Sequence, residues 1–318
     1  MRWEAPVLLD GVADTRPRIE RTAVTRVHGG LTCYEVRART ALERVGAGWS
    51  VSPYRGCAHA CRHCAVRRGH RRLGFGCGGD FDSRIVVRTD IARRLRVELA
   101  SRWDGGPVVV GVGGDCYQEA EGVYRLMPGV VAALGEAGAS FTVRTRSTLI
   151  LRDAGALADA GASVTVAIAF VDERVRRTVE PGAPAAQRRL EVVAELGGRG
   201  VACGVAMAPV LPLVTDSPDQ LAATVRRVAR AGAVGLVPDV LRLPPGAREW
   251  YMAWLGEHHP GLVGRYAGLY GAGSVADPGY VRRVVEEVRG LAARYGLSPV
   301  WPPPAGPAGP AGAQLALL

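Results

Sequence analysis

Residues 52–70 read SPYRGCAHACRHCAVRRGH and carry Cys57, Cys61 and Cys64 in the spacing C-x3-C-x2-C. The apolar and aromatic stretch at 49–55 just before them has the pattern of a strand, so the three thiols stand on a loop that leaves a first strand. Three cysteines on a loop rich in Gly and Arg make poor core material, and their crowding points to a metal. A four-iron cluster needs one thiolate per iron for full protein ligation, and such sites are normally closed by four cysteines. Three thiols with no fourth nearby leave one iron open, and an open metal position generally marks reactivity, as it does for catalytic zinc. A structural zinc ion held by Cys57, Cys61, Cys64 and one of His59, His63 or His70 is a second reading, and buried thiols without a ligand are a third. Cys33, Cys77, Cys116 and Cys203 are scattered and form no second cluster motif.

Outward from this loop, short apolar runs alternate with helical patterns. Residues 108–112, 141–145, 164–169, 201–208 and 234–240 are almost free of charge, as strands buried on both faces are. Between them, 89–103 places Ile91, Leu95 and Leu99 on one helical face behind a Thr-Asp start signal, and 185–198 does the same with Leu190, Val193 and Leu196. Counting 49–55, about six βα units follow, which predicts an α/β fold with a parallel sheet, either a partial barrel or an open wound sheet. In both, the ligand site lies on the loops beyond the carboxyl ends of the strands. Residues 1–45 read as an N-terminal arm and 46–245 as the barrel. Residues 246–300 read as a C-terminal helical extension, with Trp250, Trp254 and Leu255 on one face and Val281, Val284, Val285 and Val288 on a later helix. The tail at 301–318, with PPPAGPAGPAGAQLALL, has no burial pattern and is expected to be disordered.

The 318 residues are 48% hydrophobic, enough to fill a large core. The formal charge is +10, and all 40 basic residues are arginine because the sequence has no lysine. Schiff-base and P-loop lysine chemistry are thereby excluded. Asparagine is absent as well, so part of the basic excess reflects codon bias rather than a nucleic-acid surface. The longest uncharged apolar stretch, 201–214, is broken by Pro209 and Pro212 and falls short of the roughly 20 residues of a membrane span. The first residues carry charges inside their apolar segment, unlike a secretory signal. Seven cysteines, three of them crowded, fit a reducing, cytoplasmic location.

The C-x3-C-x-aromatic-C pattern after a first strand resembles the radical SAM superfamily. The runs SPYRGC-x-H-x-C, GGDCYQEAEGVYRLMPG, VEPGAP followed by Arg189-Leu190, and APVLP are similar to its spore-photoproduct-lyase-like branch, including actinobacterial members, over residues 20 to 295. The resemblance implies a partial (β/α)6 TIM-like barrel and a [4Fe-4S] cluster on Cys57, Cys61 and Cys64 whose open iron binds S-adenosyl-L-methionine. It further implies reductive cleavage to a 5′-deoxyadenosyl radical that abstracts hydrogen from a substrate, with electrons from a ferredoxin- or flavodoxin-type donor.

Carried onto this sequence, the resemblance places the His63 ring beside adenine. Gly113, Gly114 and Asp115 form the Gly-Gly-acid turn, in which glycines admit the ligand and the carboxylate accepts from the ammonium. Arg146 pairs with the methionine carboxylate. Cys116 stands where relatives have proline, at the expected mouth of the site, and is a candidate to return hydrogen to a product radical. Glu180 and Arg189 read as a structural ion pair. Ala167 and Ala169 lie where relatives often have a polar ribose contact, Ala65 where they have an aromatic, and Val112 about where the repair enzyme has its hydrogen-donating cysteine. A reaction other than photoproduct repair is therefore expected. Arg62, Arg67, Arg68, His70, Arg71 and Arg72 form either a solvated face or a surface for a phosphate-bearing partner. The alternative function is a non-catalytic, cluster-stabilised nucleic-acid-binding protein on a degenerate scaffold.

Overall fold

Valine-rich runs become strands here because their branched side chains pack on both faces of a sheet that helices cover. In the computed structural model, which describes residues 19–25 and 30–302, the strands are β1 (Ile19–Thr25), β2 (Leu31–Val36), β3 (Glu43–Val45), β4 (Gly48–Val51), β5 (Tyr54–Arg55), β6 (Arg84–Arg88), β7 (Val108–Val110), β8 (Phe141–Thr145), β9 (Ser163–Ala167), β10 (Cys203–Val210) and β11 (Leu236–Val240). One sheet runs β11-β10-β9-β8-β7-β4-β3. Its strands from β4 to β11 are all parallel and in chain order, and β3 pairs antiparallel at the edge. This is the expected partial (β/α)6 TIM-like barrel, each of its six parallel strands falling on an expected run.

The arm, illegible as structure in the sequence, supplies part of a second sheet, β1-β2-β6-β5. There β6, from the unforeseen run RIVVR, lies parallel to β2 and antiparallel to β5. Because β5 ends two residues before Cys57, this small sheet braces the chain entering the cysteine loop. Asp90 stands before the helix Ile91–Ser101 as the start signal requires, yet its side chain makes no cap hydrogen bond. Its Oδ1 instead accepts from the Ala38 amide at 2.7 Å, tying arm to barrel.

Beyond β11, the helices Arg248–His258, Val263–Tyr270 and Pro278–Ala293 pack on the barrel. Trp254, Leu255, Val284 and Val288 are buried in the main core as their spacing predicts. Trp250 departs from its expected face, lying under the Arg62 and Arg67 guanidinium groups at 4.7 and 5.0 Å. Trp301, expected at the start of a loose tail, packs against Gly204 and Gly235. Residues 1–18, 26–29 and 303–318 lie outside the described residues. No helix among the described residues is long and apolar enough to cross a membrane.

Candidate metal and cofactor site

The cysteine loop is held by backbone contacts from three directions. Gln118 grips it on either side of Cys57, its Oε1 accepting from the Ala58 amide at 3.0 Å and its Nε2 donating to Gly56 O at 2.9 Å. From the β9–β10 connection, the Gly182 amide donates to His59 O at 3.1 Å and Val179 O accepts from the Arg62 amide at 2.8 Å. Below, the fully buried Arg67 donates Nε and Nη2 to Cys61 O at 3.0 and 2.9 Å and Nη1 to Gly78 O at 3.0 Å, and pairs with Asp82 at 2.5 Å. Arg67 is therefore internal scaffolding, whereas Arg68, Arg71 and Arg72 of the same run are exposed on the 3-10 helix Ala65–Leu73.

Cys57, Cys61 and Cys64 line one cavity at the carboxyl ends of the barrel strands, with Gly114, Asp115 and Arg146 across from them. Burial pushes the Cys57 thiol up to about 12, with Asp115 adding to the shift, and raises Cys61 and Cys64 as well. A metal reverses this, because thiolate ligation replaces the proton with a cation. Arg146 Nε is buried without a hydrogen-bond partner beside them. The all-sulfur donor set with a guanidinium alongside fits an anionic iron-sulfur group, and among the described residues no fourth cysteine lines the cavity. The histidines of the zinc reading are engaged elsewhere. His70 Nε2 bonds Arg84 O at 3.0 Å, His63 Nε2 bonds Glu180 Oε1 at 2.9 Å, and His59 Nδ1 lies 3.4 Å from Asp115 Oδ2. Cys61, His63 and Glu180 do place ligand atoms within 4.8 Å of one another, but Glu180 is already matched to cations.

Glu180 is the hub beneath the loop. It pairs with the buried Arg189, accepts from His63 and lies 3.4 Å from Arg146 Nε. Burial alone raises its carboxyl, yet Arg189, His63 and Arg146 together hold it well below the usual carboxylate range. Burial opposes the charge of Arg146, but Cys61 and Glu180 more than restore it. His63 lines the cavity, and burial keeps its imidazole neutral against the pull of Glu180.

The Gly-Gly-acid turn packs directly on the cysteine loop. A Cβ on Gly114 would stand 2.6 Å from Gly56 O, so only glycine permits this approach. The Gly113 amide donates to Ser52 Oγ at 3.0 Å. Asp115 Oδ1 accepts from Thr145 Oγ1 at 2.6 Å and from the Tyr117 amide at 2.9 Å, and Oδ2 accepts from the Arg146 amide at 2.6 Å. The carboxylate thus aligns the ends of β7 and β8, and its lone pairs are largely occupied. Arg146 Nη2 donates to Ala208 O at 3.1 Å, which holds the guanidinium against β10.

Cys116 does not lie at the mouth. Its thiol is fully buried in the main core, donates toward Arg144 O at 3.6 Å and lines no part of the cavity. Ala167 lines the cavity and Ala169 does not. Sequence reasoning missed Arg144, Asp239 and Arg242, which line the cavity. The available signal was the position of Arg144 two residues before Arg146 on one strand, which gives both the same face.

The model of the radical SAM superfamily matches residues 51–226. An uncharacterised protein of Mycobacterium tuberculosis (strain ATCC 25618 / H37Rv) is 40% identical over 94% of this chain and 94% of its own length. An uncharacterised protein of Acidianus two-tailed virus is 30% identical over 52% of this chain and 56% of its own. Among solved structures, a spore photoproduct lyase mutant with bound AdoMet and dinucleoside spore photoproduct superposes with a TM-score of 0.64 at 13% identity, covering 84% of this chain and 81% of that one.

Proposed function

The chain belongs to the radical SAM superfamily, and we propose on that premise that it holds a [4Fe-4S] cluster on Cys57, Cys61 and Cys64 and binds S-adenosyl-L-methionine beside it. Cluster and cofactor together supply the chemistry, a one-electron cleavage of the sulfonium that yields a 5′-deoxyadenosyl radical for hydrogen abstraction. The observation that carries the reading is the shared cavity of the three thiols, Gly114, Asp115 and Arg146 at the carboxyl ends of parallel strands, with Gly113 of the same turn outside its lining.

The residues divide the remaining work. Arg146, charged and partly unpartnered, is placed to take the methionine carboxylate. Asp115 holds the turn so that backbone and its remaining acceptor capacity face the ammonium. His63, fixed by Glu180, offers its ring to adenine. The exposed Arg68, Arg71 and Arg72 follow Cys64 closely and suit an acidic electron donor of the ferredoxin or flavodoxin type. A reducing cytoplasm is the compartment that preserves both thiols and donor.

Anaerobic reconstitution with iron and sulfide, followed by reductant and S-adenosyl-L-methionine, tests the proposal. Near-stoichiometric four-iron loading and 5′-deoxyadenosine formation are expected. Iron loading without cleavage, together with salt-dependent affinity for nucleic acid, would favour the cluster-stabilised binding protein instead.

A further inference from the structure

Most deeply placed arginines in this protein have acceptors. Arg67 has four carbonyl and carboxylate contacts, Arg152 reaches Glu121 and Asp153, and Arg189 reaches Glu180, Ala167 O and Pro184 O. The Arg144 side chain has neither an ion pair nor a hydrogen bond among the described residues, although it lines the cavity from within β8. It lies two residues before Arg146, which follows the end of that strand, and so sits deeper along the strand direction.

The surroundings of Arg144 form a pocket. Its register partner on β9 is Thr165, whose partner on β10 is Gly204. The Trp301 indole packs on Gly204 and Gly235 behind this layer, outside the cavity lining, and donates Nε1 to Thr165 Oγ1 at 3.1 Å. The walls are Ala167, Ala206 and Ala208, and Asp239 of β11 lines the cavity as well, paired at 3.4 Å with Arg242. The whole cavity, thiol side included, holds about 200 Å³. The deep part thus suits a compact end group. Burial and the neighbouring Arg146 push the Arg144 guanidinium down to about 10, with Asp239 opposing.

The Arg144 guanidinium is half-buried in the cavity wall and has no protein acceptor, and a ligand that brings one gains a charge-assisted hydrogen bond there. We infer that the lumen seats its substrate by a compact anionic end group, a carboxylate or a phosphate, on Arg144 beside Thr165. The inference rests on the radical SAM reading for the identity of the ligand as substrate. The small alanine walls leave the remainder of that substrate room to extend toward the thiol side of the cavity. Asp239 competes with the incoming anion for the field of Arg144, which keeps the empty site from being strongly cationic.

Calorimetric titration of the anaerobically reconstituted protein with inorganic phosphate and, separately, with acetate tests this, with ionic strength held by chloride. Saturable binding of at least one anion is expected, and the tighter one identifies the source. Binding should weaken tenfold or more in Arg144→Gln, persist in Arg144→Lys and in the exposed-surface control Arg226→Gln, and tighten severalfold in Asp239→Asn. The gain in Asp239→Asn guards against misreading a misfolded loss variant. Absence of binding in the wild type, or binding that survives Arg144→Gln, overturns the inference. So does a parallel titration in which Arg144→Gln loses S-adenosyl-L-methionine instead, since Arg144 would then serve the cofactor. Anion binding without 5′-deoxyadenosine formation sinks only the proposed activity; cofactor cleavage without anion binding sinks only the lumen assignment.

Discussion

Gly182 and Ala58 meet backbone to backbone: a Cβ on Gly182 would stand 2.2 Å from the Ala58 carbonyl oxygen. The β9–β10 connection and the cysteine loop therefore fit only while position 182 has no side chain. Gly182→Ala must shift one backbone or the other, and overpacking of this kind costs about 1–3 kcal/mol. The expected outcome is a lower unfolding midpoint and reduced iron content after reconstitution. Gly155→Ala, at a position where a Cβ meets nothing within 4 Å, is the control and should leave iron content unchanged.

The cysteines should separate into two classes under substitution. Replacing Cys57, Cys61 or Cys64 with Ala is expected to abolish four-iron loading, because each lines the cavity and no other cysteine among the described residues can substitute. Cys116→Ala is expected to load iron normally and to form 5′-deoxyadenosine at the wild-type rate. Its thiol is enclosed by core side chains and points to Arg144 O. The loss should be confined to stability, about 1 kcal/mol for a small buried group. Iron analysis and product chromatography on the four variants check this, and a Cys116→Ala protein inactive despite full iron loading would restore the hydrogen-donor role.

Acid sensitivity follows from His70. Burial lowers its imidazole below the ordinary 6.5, with the bond to Arg84 O offsetting only part. As pH falls, the unfolded chain takes up this proton first. His70 therefore contributes fully above the ordinary value, and stability declines as pH drops below it toward the folded-state value. The slope from one such group is at most about 1.4 kcal/mol per pH unit. Denaturation curves above and below pH 6.5 should show that loss in the wild type and a smaller one in His70→Gln, whose amide can still donate to Arg84 O.

The sequence was most legible where one physical rule acted alone. Uncharged runs such as 164–169 and 201–208 could only be strands covered on both faces, and three thiols within eight residues could only be explained by a shared ligand or an unusual core. It was least legible where a residue serves a distant backbone. Asp115 looks like a ligand group from its turn, yet Thr145 and Arg146, thirty and thirty-one residues away, claim most of its acceptors. Arg67 looks like one more cation in a basic run, and only the fold reveals carbonyls converging on it. The runs GGDCYQEAEGVYRLMPG and VEPGAP, which carry the resemblance, contain Gln118 and Gly182, and both hold the cysteine loop.

Trp301 gives the last prediction, since its packing was unreadable in a Pro- and Gly-rich end. Its indole fills the space left by Gly204 and Gly235, with a hydrogen bond to Thr165 Oγ1. Full burial of a tryptophan makes truncation to Ala cost about 3–5 kcal/mol. Trp301 is only partly buried, so Trp301→Ala should cost about 2–3 kcal/mol. Trp301→Phe keeps the ring and loses the hydrogen bond, which is worth about 1 kcal/mol. Urea unfolding followed by circular dichroism should rank wild type above Phe and Phe above Ala. Equal midpoints for all three would show that the Trp301 segment detaches from Gly204 and Gly235 in solution.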